Sequence, residues 1–151
     1  GVVALESDHP DLEFLPYRQD QLVLLAPLNG RFTNLHSVSF SECLGVPFIS
    51  LQSGAALHTF LMNHASALGG RLDVRVQVSG FRAIARLVSS GACIVIAPRS
   101  ALEAADLDHL QVIDLVEAWA KRDLRVCVQR NPREKNALRD NLIEILCQPS
   151  A

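Results

Sequence analysis

Three polar junctions carry the residues best suited to chemistry: Gln52-Ser53-Gly54, Ser79-Gly80-Phe81 and Pro98-Arg99-Ser100. Each follows an apolar run and precedes a stretch of helical spacing. In an open α/β sheet, ligands gather outside the carboxyl ends of the strands. A helix starting there presents unpaired backbone N–H groups and a partial positive charge, which attract carboxylates. Ser53, Ser79 and Ser100 add hydroxyl donors, and Gly54 and Gly80 let a ligand approach the backbone. The chemistry expected of Gln52, Ser53, Gly54, Ser79, Gly80, Phe81, Pro98 and Arg99 is reversible binding of a small anion, such as an organic acid. Plainer roles compete at the same positions. A serine before a helix caps it for about 1 kcal/mol, Phe81 suits a helix core, and Arg99 suits a solvated surface.

Other constellations are weaker. Cys43, His36 and Asp20 supply the types of a nucleophile, a base and an orienting acid, but nothing in the chain brings them together. No G-x-S-x-G elbow and no P-loop glycine pattern occurs, so no enzyme and no cofactor are expected. His58 and His64 stand six residues apart on one helical stretch and face different sides, so no metal site is expected there. His9 with Asp8 or Asp11 suits a solvated loop. Trp119 suits a hydrophobic anchor, either within the chain or at a subunit contact.

The elements that must position these residues follow from periodicity. Gly1–Leu5, Gln21–Ala26, Val46–Leu51, Leu72–Val78, Ala92–Ala97, Gln111–Leu115 and Leu124–Val128 are predicted strands. Ala92–Ala97 is apolar at every position, as in a strand covered on both faces. Leu57, Phe60, Leu61, Ala65 and Leu68 predict a helix over about 54–68, ended by Gly69-Gly70. Phe81, Ile84, Ala85 and Val88 predict a second, stopped by Gly91. Ala137 to Leu146 predicts a last one. Ser39 with Glu42 has capping-box spacing for one short turn, closed by Gly45, and Ser100 with Glu103 for another short helix. Strands alternating with helices over short connections predict an α/β fold, a three-layer α/β/α sandwich on a mostly parallel sheet.

Composition narrows the function classes. With 151 residues, 49% hydrophobic and 20% charged, the chain can bury a core as one domain or two small lobes. Fourteen basic residues against sixteen acidic ones leave a net charge of -2, too few free cations to replace counterions on nucleic acid. Four cysteines form no CxxC pair, which fits a reduced, cytoplasmic setting, and no apolar run reaches membrane-spanning length. The chain opens Gly1-Val2-Val3-Ala4-Leu5, as if inside a strand, and is expected to be a piece of a longer protein.

Taken in order, several segments resemble one family. These are Val46-Pro47-Phe48-Ile49-Ser50-Leu51 with Ser53-Gly54-Ala55-Ala56-Leu57, then Val76-Gln77-Val78-Ser79-Gly80-Phe81, then Ala83 to Gly91, then Ile94-Val95-Ile96-Ala97-Pro98. Together with Phe40–Leu44 and Trp119–Leu124 they resemble the effector-binding domain of LysR-type transcriptional regulators, over nearly the whole chain. Two segments depart from the family pattern: Leu28-Asn29-Gly30-Arg31-Phe32 replaces a His-Pro-Leu-like stretch, and Ser90-Gly91-Ala92-Cys93-Ile94 lacks one glycine.

The resemblance implies a lobe like that of type 2 periplasmic binding proteins. Residues 27–127 would form the complete second lobe, and 1–26 and 128–151 remnants of the first lobe and its crossover strand. It further implies a bacterial allosteric sensor that binds a small effector, touches DNA only through an N-terminal helix-turn-helix absent here, and forms homo-oligomers. A solute-binding protein of a transport system, sharing the fold, and a small α/β enzyme are the alternatives. The residues encoded upstream of Gly1 separate the first two, by a helix-turn-helix or by a signal peptide.

Overall fold

The structure, a computed structural model, describes residues 2–3, 10–52, 55–130 and 136–147. Contacts divide the chain into two compact units, Gln21–Ala120 and a second made of Gly1–Asp20 with Lys121–Ala151. The expected lobe boundaries, 27 and 127, stand at the far ends of two strands. Contacts place Gln21–Ala26 with the larger unit and Leu124–Val128 with the smaller one.

The larger unit is organised by the end of one long strand, β2 (Leu12–Pro27). Leu22 to Ala26 are apolar at five consecutive positions and all buried, because β2 has a partner on either side. It pairs antiparallel with β6 (Val95–Pro98), from Leu22 opposite Pro98 to Leu25 opposite Val95. On its other edge it pairs antiparallel with β7 (Leu110–Leu115), from Val23 opposite Asp114 to Pro27 opposite Leu110. A two-residue strand, β3 (Ser37–Val38), runs parallel to β7.

β4 (Pro47–Leu51) and β5 (Asp73–Val78) are parallel. A parallel bridge between Phe48 and Ile94 joins them to the β6 side. Ile49 N–H donates to the Ile94 carbonyl and Ile94 N–H to the Pro47 carbonyl, both at 2.9 Å. The strand order is thus β5-β4-β6-β2-β7-β3, and β2 alone runs against the others. The sheet is mixed, not purely parallel, because β2 is not part of a strand–helix–strand crossover.

Two crossovers account for the layers. Helix α1 (Ala55–Ala67) links β4 to β5, and α2 (Phe81–Ser89) links β5 back past β4 to β6. Crossovers between parallel strands are right-handed, so reversing direction along the sheet puts the second helix on the opposite face. The core divides accordingly. Side chains alternate along a strand: Leu22, Leu24 and Ala26 join Leu61 and Ala65 of α1, while Val23 and Leu25 join Ile84 and Val88 of α2. Gly69 (φ 74°) and Gly91 (φ 87°) stop the two helices in the left-handed conformation that favours glycine.

The expected capping boxes have different outcomes. At Ser39, the backbone N–H donates to the Glu42 carboxylate at 3.0 Å, and a 3₁₀ turn covers Phe40–Cys43. At Ser100 the expectation fails. Ser100 lies inside a 3₁₀ turn, Arg99–Ala101, whose cap is Pro98; Leu102 and Glu103 are extended, and a 3₁₀ segment, Ala104–His109, follows. The half-buried Leu102 packs on the α2-side core, and the extended backbone there leaves Ser100 no helical turn to cap.

In the smaller unit, β1 (Val2–Val3) pairs antiparallel with β8 (Lys121–Gln129), which stands next to β2 in the strand order. The Asp20 carboxylate is buried 3.6 Å from the Arg122 guanidinium. Helix α3 (Ala137–Leu146) is capped by Asn136, whose Oδ1 accepts from Arg139 N–H. Leu138, Leu142 and Ile145 share one face of α3 and are exposed.

The two-faced burial of β2 predicts unequal costs of truncation. Leu24→Ala should lose about 2–5 kcal/mol and Val116→Ala, at an exposed position, less than about 0.5 kcal/mol. Urea unfolding checks both; similar midpoints for the two variants would contradict the central role of β2.

Candidate functional site

Because β4, β5 and β6 run in one direction, their carboxyl ends lie on one edge of the larger unit, in the order Val78, Leu51, Pro98. The junctions singled out in the sequence therefore share that edge. The first two are tied together: Gln52 N–H donates to the Val78 carbonyl at 2.8 Å. Gln52, Ser79, Gly80 and Arg99 are exposed and Pro98 is half-buried. Ser53 and Gly54 lie outside the described residues, as does the side chain of Phe81, the first residue of α2.

The start of α2 corrects one expectation. Its N-cap is Gly80, in extended backbone, and no side chain caps it. Ser79 stands one residue too early for that role, and its hydroxyl bonds to no described residue. The opening N–H groups of α2 therefore keep the polarity that a capping side chain would have quenched. Arg99 forms an ion pair with Asp114 at the carboxyl end of β7, with both side chains about half exposed. An ion pair so exposed is worth about 0–1 kcal/mol, yet Asp114 already offsets the one positive charge expected at the edge. The third junction leads into 3₁₀ turns and so lacks the helix that the sequence pattern suggested.

One polar pair at this edge was not among the expected site residues. Ser50, next to last in β4 and 4% exposed, places its Oγ 2.9 Å from Nδ1 of His58 on α1. Around them a small pocket is lined by apolar side chains including Phe48, Leu51, Leu57, Leu61 and Ile96. The sequence carried a signal for this pair. A serine in the otherwise apolar run Phe48–Leu51 must find a hydrogen-bond partner once buried.

The remaining candidates have other partners. His64 stacks on Trp119, with ring centroids 4.6 Å apart, and Trp119 meets Phe40 and Phe60 edge-on. Trp119 is thus an anchor within the chain. Among the described residues no group of three His, Cys, Asp or Glu could hold a metal. Asp20 belongs to the smaller unit, while His36 and Cys43 belong to the larger. Cys43 is fully buried, and its Sγ lies 3.8 Å from the Ser39 carbonyl. Burial pushes its thiol from an ordinary value near 9 up to about 12, with the carboxylates of Glu117 and Glu42 adding to the rise. Such a thiol is a poor nucleophile.

A sequence profile described as "LysR substrate binding domain" matches residues 1–146. Among curated protein sequences none matches the chain. Solved structures match it closely in shape. The effector-binding domain of QuiR in complex with shikimate aligns with a TM-score of 0.73 at 17% identity, covering 96% of this chain and 70% of that one. The CcmR regulatory domain of Synechocystis PCC6803 in complex with 2-PG aligns with a TM-score of 0.78 at 16% identity, covering 97% and 70%. Full-length CbnR complexed with its target DNA aligns with a TM-score of 0.67 at 16% identity, covering 97% and 49%.

The Cys43 environment sets a pH dependence. The protonated thiol's contribution to stability is complete below pH 9 and is lost as pH climbs from 9 toward 12, because the unfolded chain releases the proton first. The stability difference between the wild type and Cys43→Ala should therefore fall by about 1 kcal/mol per pH unit above pH 9. Urea unfolding on either side of pH 9 measures it; a difference independent of pH would contradict the assignment.

Proposed function

Because this chain belongs to the LysR substrate-binding domain family, we propose that it senses a small anionic metabolite at the carboxyl edge of its larger unit. It does so as the regulatory part of a bacterial transcription factor. The observation that carries the proposal is the edge itself. Two helices begin there beside one another, their junctions are linked by the Gln52–Val78 bond, and α2 opens on Gly80 with no side chain occupying its N–H groups. An acid held by those groups, by the hydroxyls of Ser53 and Ser79 and beside Pro98 and Arg99 needs no metal and no cofactor. The similar domains with shikimate and 2-PG support an oxygen-rich acid as the ligand class.

In this reading 27–127 contains the complete second lobe and the flanking stretches are parts of the first. Catalysis has no place in it, and the setting is the cytoplasm. Effector binding biases two conformations of a homo-oligomer, and a separate N-terminal helix-turn-helix contacts DNA, consistent with the similar CbnR structure. No described helix is long and apolar enough to cross a membrane.

Two measurements test the proposal. Isothermal titration of the full-length regulator with organic acids, shikimate included, should show binding that Ser53→Ala with Ser79→Ala weakens at least tenfold, since bonds to a charged group are worth about 1.5–3 kcal/mol each. Unchanged binding would remove the junctions from the site. Sedimentation should show this chain self-associating through the apolar face of α3, and Leu138→Glu with Leu142→Glu should shift it toward monomer. A monomeric wild type at high concentration would refute that contact.

A further inference from the structure

We propose that His58 is an effector-binding residue of the carboxyl edge, held by Ser50 in the one neutral tautomer that offers an N–H donor at Nε2. This rests on the effector-binding reading above and adds a donor to it.

The position of one proton decides the tautomer. Ser50 is buried, and its hydroxyl has a single partner among the described residues, Nδ1 of His58 at 2.9 Å. The other named side chains around the pair are hydrocarbon. If Nδ1 carried hydrogen and donated to Oγ, the serine proton would be left without an acceptor in an apolar pocket, an arrangement that folded proteins avoid. If instead Ser50 donates to Nδ1, both groups are satisfied. A neutral imidazole that accepts at Nδ1 carries its proton at Nε2. Nε2 bonds to no described residue.

The placement gives that free donor a use. Ser50 stands two residues before Gln52, and His58 is the fourth residue of α1, so their bond closes a loop around the first junction. On its other side the junction is tied by the Gln52–Val78 bond. His58 is half-buried, with its ring orientation fixed by a buried partner, the kind of support that holds a binding group to productive geometry. A donor that carries no charge and no acceptor selects a ligand that presents an oxygen acceptor, a carboxylate or phosphate, and disfavours one that presents an N–H or an ammonium group.

Two measurements on the full-length regulator test this. First, nitrogen-15 NMR of the His58 imidazole in the unliganded protein should show the Nε2–H tautomer, and Ser50→Ala should return it to a mixture. The Nδ1–H tautomer in the wild type overturns the proposal without touching the effector reading. Second, calorimetry with acetate, benzoate and shikimate identifies the tightest of the three. His58→Leu should weaken that acid at least tenfold, and His58→Gln, which keeps a donor near Nε2, should recover binding to within threefold of wild type. The urea midpoints of the two variants should agree, which a merely structural role would not produce. If Ser53→Ala with Ser79→Ala abolishes binding but His58→Leu leaves it unchanged, His58 is not in the site and the effector reading stands. A wild type that binds none of the three acids overturns both.

Discussion

The burial of β2 on both faces is the constraint on which the larger unit depends. Leu22 to Ala26 can be dry only if strands flank both edges and helices or loops cover both faces. β6 and β7 supply the edges, each antiparallel to β2. Two strands antiparallel to the same neighbour are parallel to one another, so β2 sets β6 and β7 in one direction; β4 follows through its parallel bridge at Ile94 and β5 through its parallel pairing with β4. With that direction fixed, the strand ends that lead into α1 and α2 must emerge together. The shared carboxyl edge thus follows from how one apolar run is covered together with the parallel pairing beside it.

The edge that results carries the exposed cation Arg82 at the start of α2, but few other free charges. Arg99 is paired with Asp114, and Gln52, Ser79 and Gly80 are neutral. The other donors are directional: N–H groups at the start of α2, a Ser79 hydroxyl that bonds to no described residue and the proposed Nε2–H of His58. A solvated Arg attracts anions over about a Debye length of 10 Å with little regard to geometry. Neutral donors act only within hydrogen-bond reach and near-linear alignment.

Where the sequence was legible, local chemistry and tertiary structure agreed. Helix α1 lies within the predicted 54–68, α2 begins at Phe81 as expected, and Gly69 and Gly91 stop them as their backbone freedom suggests. Prediction failed where tertiary packing overruled local spacing. Ser100 and Glu103 have the same spacing as Ser39 and Glu42, yet Leu102 is needed in the core and its extended backbone breaks the turn. The first half of β2, Leu12 to Asp20, escaped because Pro16 and its charged neighbours resemble a loop. The reversed direction of β2 was invisible because alternation reports faces, not polarity. Ser79 looked like a cap, but only φ and ψ locate the cap at Gly80. Ser50 and His58 were each visible, but their pairing depends on how α1 lies on the end of β4, which no spacing rule encodes.

A sensor needs chemistry of this kind. A ligand shifts a conformational equilibrium only by the difference in its affinity for the two states, and moving a population from 1:99 to 99:1 takes about 5.5 kcal/mol of such difference. A long-range charge contributes nearly equally to both states, because a small displacement barely changes its distance. A hydrogen bond from a helix N-terminus, or from an imidazole clamped by a buried serine, is lost when the donor moves by about an ångström. Pairing Arg99 with Asp114 while leaving the α2 terminus without a capping side chain therefore shifts the binding energy of the proposed site toward short-range terms. In the proposed function, that energy sits in the terms that report conformation.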